Sequence, residues 1–198
     1  ARDLVNEPVN KLNAGNLSDR ISEECNKRGV LVEVMNKAKI ESLKMGGIIS
    51  VNKGSVDPPT FTIAEWKPEN YENQKPFVLV GKGIVYDTGG ISLKPSNSMT
   101  GMKADMGGAA TMAATICAIA EARLPIHVIA LIPATDNRVH GNTIVPDDII
   151  SMYDGSSVEI VNTDAEGRLI LADALSYAKK YDPELVIDAA TLTGSAMR

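Results

Sequence analysis

Residues Ile126-His127-Val128-Ile129-Ala130-Leu131-Ile132 form an apolar run broken only by one histidine, and how that run is read decides the fold. A strand with one wet face alternates apolar and polar residues, whereas a strand covered on both faces is apolar throughout. A second run, Phe77-Val78-Leu79-Val80, bounded by Gly81, also reads as a buried strand. Outward from these two runs the chain alternates. The spacing predicts a helix over 17–27 capped by Asn16 and stopped by Gly29, a strand over 30–35, and a helix over 37–44 ended at Gly46. After the Asp57-Pro58-Pro59 turn it predicts a strand over 60–65. An Ala-rich helix follows over 109–122, then a strand over 158–161, a helix over 169–181 and a strand over 185–190. Residues 48–51 are too short to assign, and 68–76 read as a polar loop. The alternation predicts a layered α/β domain.

Composition narrows the function classes. At 198 residues the chain is long enough for one sizeable core or two small ones. Apolar residues at 44% and charged residues at 23% exclude a disordered chain. No apolar run reaches the ~18 residues of a membrane span. A net charge of −5 argues against nucleic acid as the main partner. Cys25 and Cys117 show no CxxC spacing and read as small apolar groups in a reducing, cytoplasmic compartment. With two Cys and two His, a Cys/His zinc finger is excluded, so any metal must be held mainly by carboxylates. His127 reads as a core or rim residue and His140 as a surface one. The charged start at Ala1 shows no signal peptide, and the end at Arg198, after Thr193-Gly194-Ser195-Ala196, reads as that of a fragment.

Three segments carry chemistry. The first is Val80-Gly81-Lys82-Gly83-Ile84-Val85-Tyr86-Asp87-Thr88-Gly89-Gly90-Ile91-Ser92-Leu93-Lys94-Pro95, a long Gly-rich stretch just past a buried strand's carboxyl end, where open α/β sheets bind ligands. It is not a phosphate loop, because Lys82 precedes the glycines. By itself it reads equally well as a solvated loop with surface lysines. The second is Met102-Lys103-Ala104-Asp105-Met106-Gly107-Gly108, in which Asp105 reads first as a helix N-cap. The third is Asn162-Thr163-Asp164-Ala165-Glu166-Gly167-Arg168-Leu169, between a strand and a helix. On extended chain Asp164 and Glu166 point to one side and repel unless a cation lies between them. A plain helix start with Arg168 pairing to Glu166 explains one of these carboxylates better than two. Together Asp87, Asp105, Asp164 and Glu166 make a suitable set for two divalent metals that share an activated water.

These segments resemble the leucyl aminopeptidase family, the M17 cytosolic aminopeptidases. The match lies in Asn162 to Leu169, in Gly81-Lys82-Gly83 through Asp87-Thr88-Gly89-Gly90 and Lys94, and in Lys103-Ala104-Asp105-Met106-Gly107-Gly108. It extends to Ala1-Arg2-Asp3-Leu4-Val5-Asn6-Glu7-Pro8 and Asp188-Ala189-Ala190-Thr191-Leu192-Thr193-Gly194. The resemblance implies a zinc-exopeptidase-like layered mixed sheet flanked by helices. It makes residues 1–198 a C-terminally truncated catalytic domain, with an N-terminal regulatory domain before it and the rest of the catalytic domain after it. It implies five metal ligands, Lys82, Asp87, Asp105, Asp164 and Glu166, holding two divalent ions, zinc or manganese, with Asp87 and Glu166 as bridges and Lys82 neutral. Lys94 is then the catalytic lysine and Arg168 the holder of a bicarbonate base. Met102 and Thr191 line the side-chain pocket, while Leu192 and Gly194 offer backbone contacts to substrate. The implied activity is release of N-terminal, leucine-like residues from peptides by a cytoplasmic hexamer. Some family members also bind DNA, which the acidic balance here opposes, and a dinuclear phosphatase is the other enzyme class such carboxylates serve.

Overall fold

The computed structural model describes residues 1–194, so Ser195 and Ala196 of the small-residue run lie outside the described residues. In chain order the elements are α1 (Arg2–Asn6), α2 (Ala14–Asn26), β1 (Leu31–Met35), α3 (Lys37–Ser42), α4 (Gly46–Asn52), β2 (Thr60–Trp66), β3 (Phe77–Gly81) and β4 (Gly83–Asp87). There follow α5 (Ser96–Met99), α6 (Gly107–Glu121), β5 (Val128–Asn137), β6 (Ile149–Ser151), β7 (Ser157–Glu159), α7 (Glu166–Ala178) and β8 (Leu185–Ala189).

Six strands make one mixed sheet in the order β1-β2-β5-β3-β8, with β4 also paired to β5. The β1–β2 and β2–β5 pairs are antiparallel, whereas β3 and β4 run parallel to β5 and β8 runs parallel to β3. All ten residues of β5 are buried, the apolar run of its first half as expected and the polar end Thr135-Asp136-Asn137 with it. Alternate residues feed two cores. Val78, Val80, Ile129 and Leu131 pack on the side of α4 and α7, while Leu79, Val128, Ala130 and Ile132 pack on the side of α2 and α6. A layered mixed sheet flanked by helices is therefore the observed architecture.

The main departures from the sequence expectation concern where elements start and stop. Asn13, still extended at φ −79° and ψ −178°, caps α2 by accepting from the Asn16 N–H, so Asn16 lies inside the helix. Lys44 takes the left-handed conformation at φ 58° just beyond α3, and Gly46 opens α4, which absorbs the unassigned 48–51. The stretch 82–108 contains a strand, β4, that its glycines had masked. α7 starts at Glu166, three residues before the first apolar position. β5 begins at Val128 and continues past Pro133 to Asn137, although proline normally ends a strand. The register explains the exception: β3 leaves β5 at Leu131 and β4 joins it at Ala134, so Pro133 sits where the parallel ladder is already interrupted. That interruption puts Lys82 between two strands, and the extension carries Asn137 to the same end of the sheet. Among the described residues no helix is long and apolar enough to cross a membrane.

Candidate metal centre

Lys82 fills the break between β3 and β4. Its backbone is held by an N–H donated to the Ala189 carbonyl at 3.0 Å and a carbonyl that accepts from Ala109 at 2.8 Å. The side chain, only 3% exposed, runs beneath the start of α7. Gly167 makes room for it, since a Cβ there would come within 2.5 Å of Lys82 Cε. At the far end the ammonium donates to Asp105 Oδ1 at 2.9 Å and the Thr191 carbonyl at 3.0 Å, and pairs with Glu166 Oε1 at 2.9 Å.

Asp87 is the last residue of β4, and its Oδ1 accepts from the Gly89 N–H at 2.8 Å and the Asn137 amide at 2.9 Å. The loop then doubles back and brings Lys94 to Asp87 Oδ2 at 2.8 Å and Asp164 Oδ1 at 2.6 Å. Asp105 lies one residue short of the position that caps α6, so the N-cap reading fails. Its carboxylate turns inward to Lys82 and to the Thr191 hydroxyl, which donates at 2.8 Å. Asp164 sits in a single 3-10 turn, Thr163–Ala165, capped by the Asn162 side chain, and Glu166 begins α7. The two are therefore on helical rather than extended backbone, yet both face the pocket. One oxygen from each of Asp87, Asp164 and Glu166 lies within 4.8 Å of the others.

Electrostatics make this cluster costly as it stands. Burial pushes the Asp105 carboxyl up to about 6 against the pull of Lys82. It pushes Glu166 up to about 7, with Asp87 and Asp105 adding repulsion, and raises Asp164 as well. Burial alone would lower both lysines, but the carboxylates win and hold Lys82 and Lys94 above the usual ammonium range. Two ammonium groups cannot neutralise four carboxylates. Glu166 Oε2 is buried without a hydrogen-bond partner, while Asp105 Oδ2 and Asp164 Oδ1 meet only an ammonium, outside hydrogen-bond alignment. Buried oxygens in that condition fit hard divalent cations, for which carboxylate donors are the natural set. Lys82 is here an ammonium standing among the oxygens, so to act as an amine ligand it would have to release its proton to solvent as a cation binds.

The remaining expected residues lie around this pocket with different contacts. Arg168 is exposed on the first turn of α7 with no ion pair among the described residues, which removes its pairing to Glu166. Thr191 reaches Asp105, Met102 is half-buried in a short 3-10 turn, and Leu192 and Gly194 are exposed. His127 is buried and bonds Glu65 at 2.7 Å, away from the pocket, and His140 is exposed. Sequence reading missed Asn137 and Thr163. Thr163 Oγ1 donates to the Gly89 carbonyl at 2.6 Å and accepts from the Ser92 N–H at 2.9 Å, while its carbonyl accepts from Asn137 at 3.1 Å. Only the polar end of an apolar strand, Thr135-Asp136-Asn137, could have flagged the first of them.

The family described as the cytosol aminopeptidase family, catalytic domain, matches residues 1–198. A probable cytosol aminopeptidase from Chloroherpeton thalassium is 53% identical over 197 residues, 99% of this chain and 38% of that protein. One from Chlorobium limicola is 54% identical over 198 residues, covering 100% of this chain and 39% of that protein. Among solved structures, the leucine aminopeptidase of Caenorhabditis elegans superposes with a TM-score of 0.92 at 38% identity, over 97% of this chain and 39% of its own. The apo leucyl aminopeptidase of Trypanosoma cruzi gives 0.93 at 38% identity, over 97% and 38%. The chain thus spans about two fifths of the length of the curated relatives it matches.

Proposed function

Because the chain belongs to the cytosol aminopeptidase family, as part of its catalytic domain, we propose that its pocket serves a metal-dependent aminopeptidase releasing N-terminal, leucine-like residues from peptides. The observation that carries this reading is the convergence of Asp87, Asp164 and Glu166 on one point, with Glu166 Oε2 buried and unpartnered. Lys82, Asp87, Asp105, Asp164 and Glu166 would hold two divalent ions, zinc or manganese. When bound, such a pair supplies Lewis acidity and a water acidic enough to ionise near neutral pH.

The chain's own residues do the rest. Lys94 keeps its proton, since two carboxylates hold it well above the usual range, and can donate to the carbonyl oxygen of the scissile bond as charge develops there. Arg168, exposed at the start of α7, would hold a bicarbonate, which when bound supplies a general base. Met102 and Thr191 would line the space for the first side chain, and the backbone at Leu192 and Gly194 would meet the peptide. A cytoplasmic setting, supported by the names of the relatives, belongs to the same proposal, as does a hexamer, which rests on the family resemblance alone. The test is hydrolysis of leucine p-nitroanilide against p-nitrophenyl phosphate by the full-length protein, with and without added manganese or zinc. Metal-dependent release from the anilide alone is expected. Release from the phosphate ester instead would replace this reading with a phosphatase.

A further inference from the structure

Away from the pocket, two nucleophilic side chains stand together. Cys25 in α2 and Cys117 in α6 are 92 positions apart, yet their sulfurs lie 3.7 Å from each other. Both are free thiols. Their sequence spacing had suggested two unrelated apolar groups, but the packing of α2 against α6 makes them neighbours. Cys25 is fully buried, whereas Cys117 is half-buried and lines a surface cavity of about 550 Å³ with Arg20, Glu24, Arg28 and Glu121. Arg28 is fixed at that cavity by Glu24 at 2.8 Å and Glu121 at 3.0 Å. The Cys25 S–H donated to Cys117, opposed by burial and aided by Arg28, draws the Cys117 thiol down to about 7; Cys25 is pushed up in return. One sulfur is thus reachable and more readily ionised than an ordinary thiol, and the other is shielded behind it.

We propose that Cys25 and Cys117 form a redox-active dithiol that small-molecule disulfides close to a bond between α2 and α6. The Cys117 thiolate attacks one sulfur of the small disulfide, forming a mixed disulfide and expelling one thiolate. The Cys25 sulfur then attacks Cys117 Sγ, forming the internal disulfide and expelling the second thiolate. The two protons lost by the cysteines pass to the two leaving thiolates. The protein is oxidised by two electrons and the small disulfide is reduced to two thiols. Closing the pair requires the sulfurs to approach to about 2.05 Å, from van der Waals contact.

The test uses the full-length protein, native, with oxidised glutathione as the probe, read by intact mass and by peptide mapping without reduction. Wild type should lose both thiols together and two hydrogens in mass, yield a linked Cys25–Cys117 peptide, and revert with dithiothreitol. Cys25→Ala should stop at a stable glutathione adduct on Cys117, and Cys117→Ala should leave Cys25 unmodified. A lasting glutathione adduct on wild-type Cys117, or no reaction at Cys117 at all, would overturn the proposal. So would modification of Cys25 in native Cys117→Ala. The wild-type peptide map decides the matter even where a core variant fails to fold.

Discussion

The side-chain amide of Asn137 donates to Asp87 Oδ1 at 2.9 Å and to the Thr163 carbonyl at 3.1 Å, so one residue at the end of β5 ties together two of the three segments that supply the pocket's carboxylates. Thr163 completes the tie by bonding Gly89 and Ser92 in the loop that returns Lys94. Partners behind the ligands commonly carry 10–100-fold in metal affinity. Asn137→Ala in the full-length protein should therefore weaken manganese or zinc binding by about 10–100-fold, with an unchanged far-ultraviolet circular dichroism spectrum. Calorimetric titration checks it; unaltered affinity would mean that the Gly89 N–H and Lys94 place Asp87 without it.

Lys94 and Asp87 touch, yet their loss should read differently. Lys94→Ala removes a positive charge from the carboxylates, so cation binding should be kept or tightened, while kcat falls by ~10²–10³, the usual effect of losing one oxyanion donor. Asp87→Ala takes away a central carboxylate and should lose the metal together with the activity. Metal titration beside steady-state kinetics separates the two. Equal metal loss in both variants would end this division of roles.

Asp173 provides a stability test away from the chemistry. Fully buried in α7, its carboxylate accepts from the Ile48 N–H and the Tyr153 N–H, each at 2.9 Å, joining α4 and the β6–β7 turn to the helix. Asp173→Ala strands the Ile48 N–H in the core and leaves the half-buried Tyr153 N–H without its acceptor, and an unsatisfied buried donor costs about 1–3 kcal/mol. Urea denaturation should show a loss of about 3 kcal/mol. A loss below about 1 kcal/mol would mean that the donors find other partners.

Much of this was legible in the chain because apolar runs report burial directly. Phe77 to Val80 and the first half of β5 were read correctly, since their short length and β-branched residues favour a strand covered on both faces over a buried helix. The Asp87, Asp105, Asp164 and Glu166 cluster was anticipated as a set, but on wrong local backbone. Asp105 looked like a cap, and Asp164 and Glu166 looked extended, because carboxylates beside helix starts fit both descriptions. β4 and the end of β5 were hidden for a different reason. Glycines and a proline signal loops unless a neighbouring strand supplies the register, and here β5 pairs with β3 and β4 in turn. Contacts such as Cys25 to Cys117 come from two helices packing together on one face of the sheet and leave no mark in sequence spacing.

Gly167 and Lys82 offer the sharpest test of how closely the pocket is built. Alanine on a helix is ordinarily better than glycine by about 0.5–1 kcal/mol, so local propensity alone favours Gly167→Ala. The added methyl, however, would lie 2.5 Å from Lys82 Cε and 2.8 Å from Nζ. The lysine end is the softer partner, but it is buried and pinned between Asp105 and Glu166, so any retreat pulls its nitrogen from both carboxylates. The fold should survive, with a melting temperature within a few degrees of wild type, since helix gain and local strain oppose each other. Activity of the full-length protein should fall by ~10²-fold, the scale of a 1 Å misplacement in a catalytic constellation. Gly141→Ala is the control, because a methyl there meets nothing within 4 Å. Thermal melts and kcat/KM for the two variants decide it. Full activity in Gly167→Ala would show that Lys82 tolerates displacement and remove it from the set of residues the chemistry needs in place.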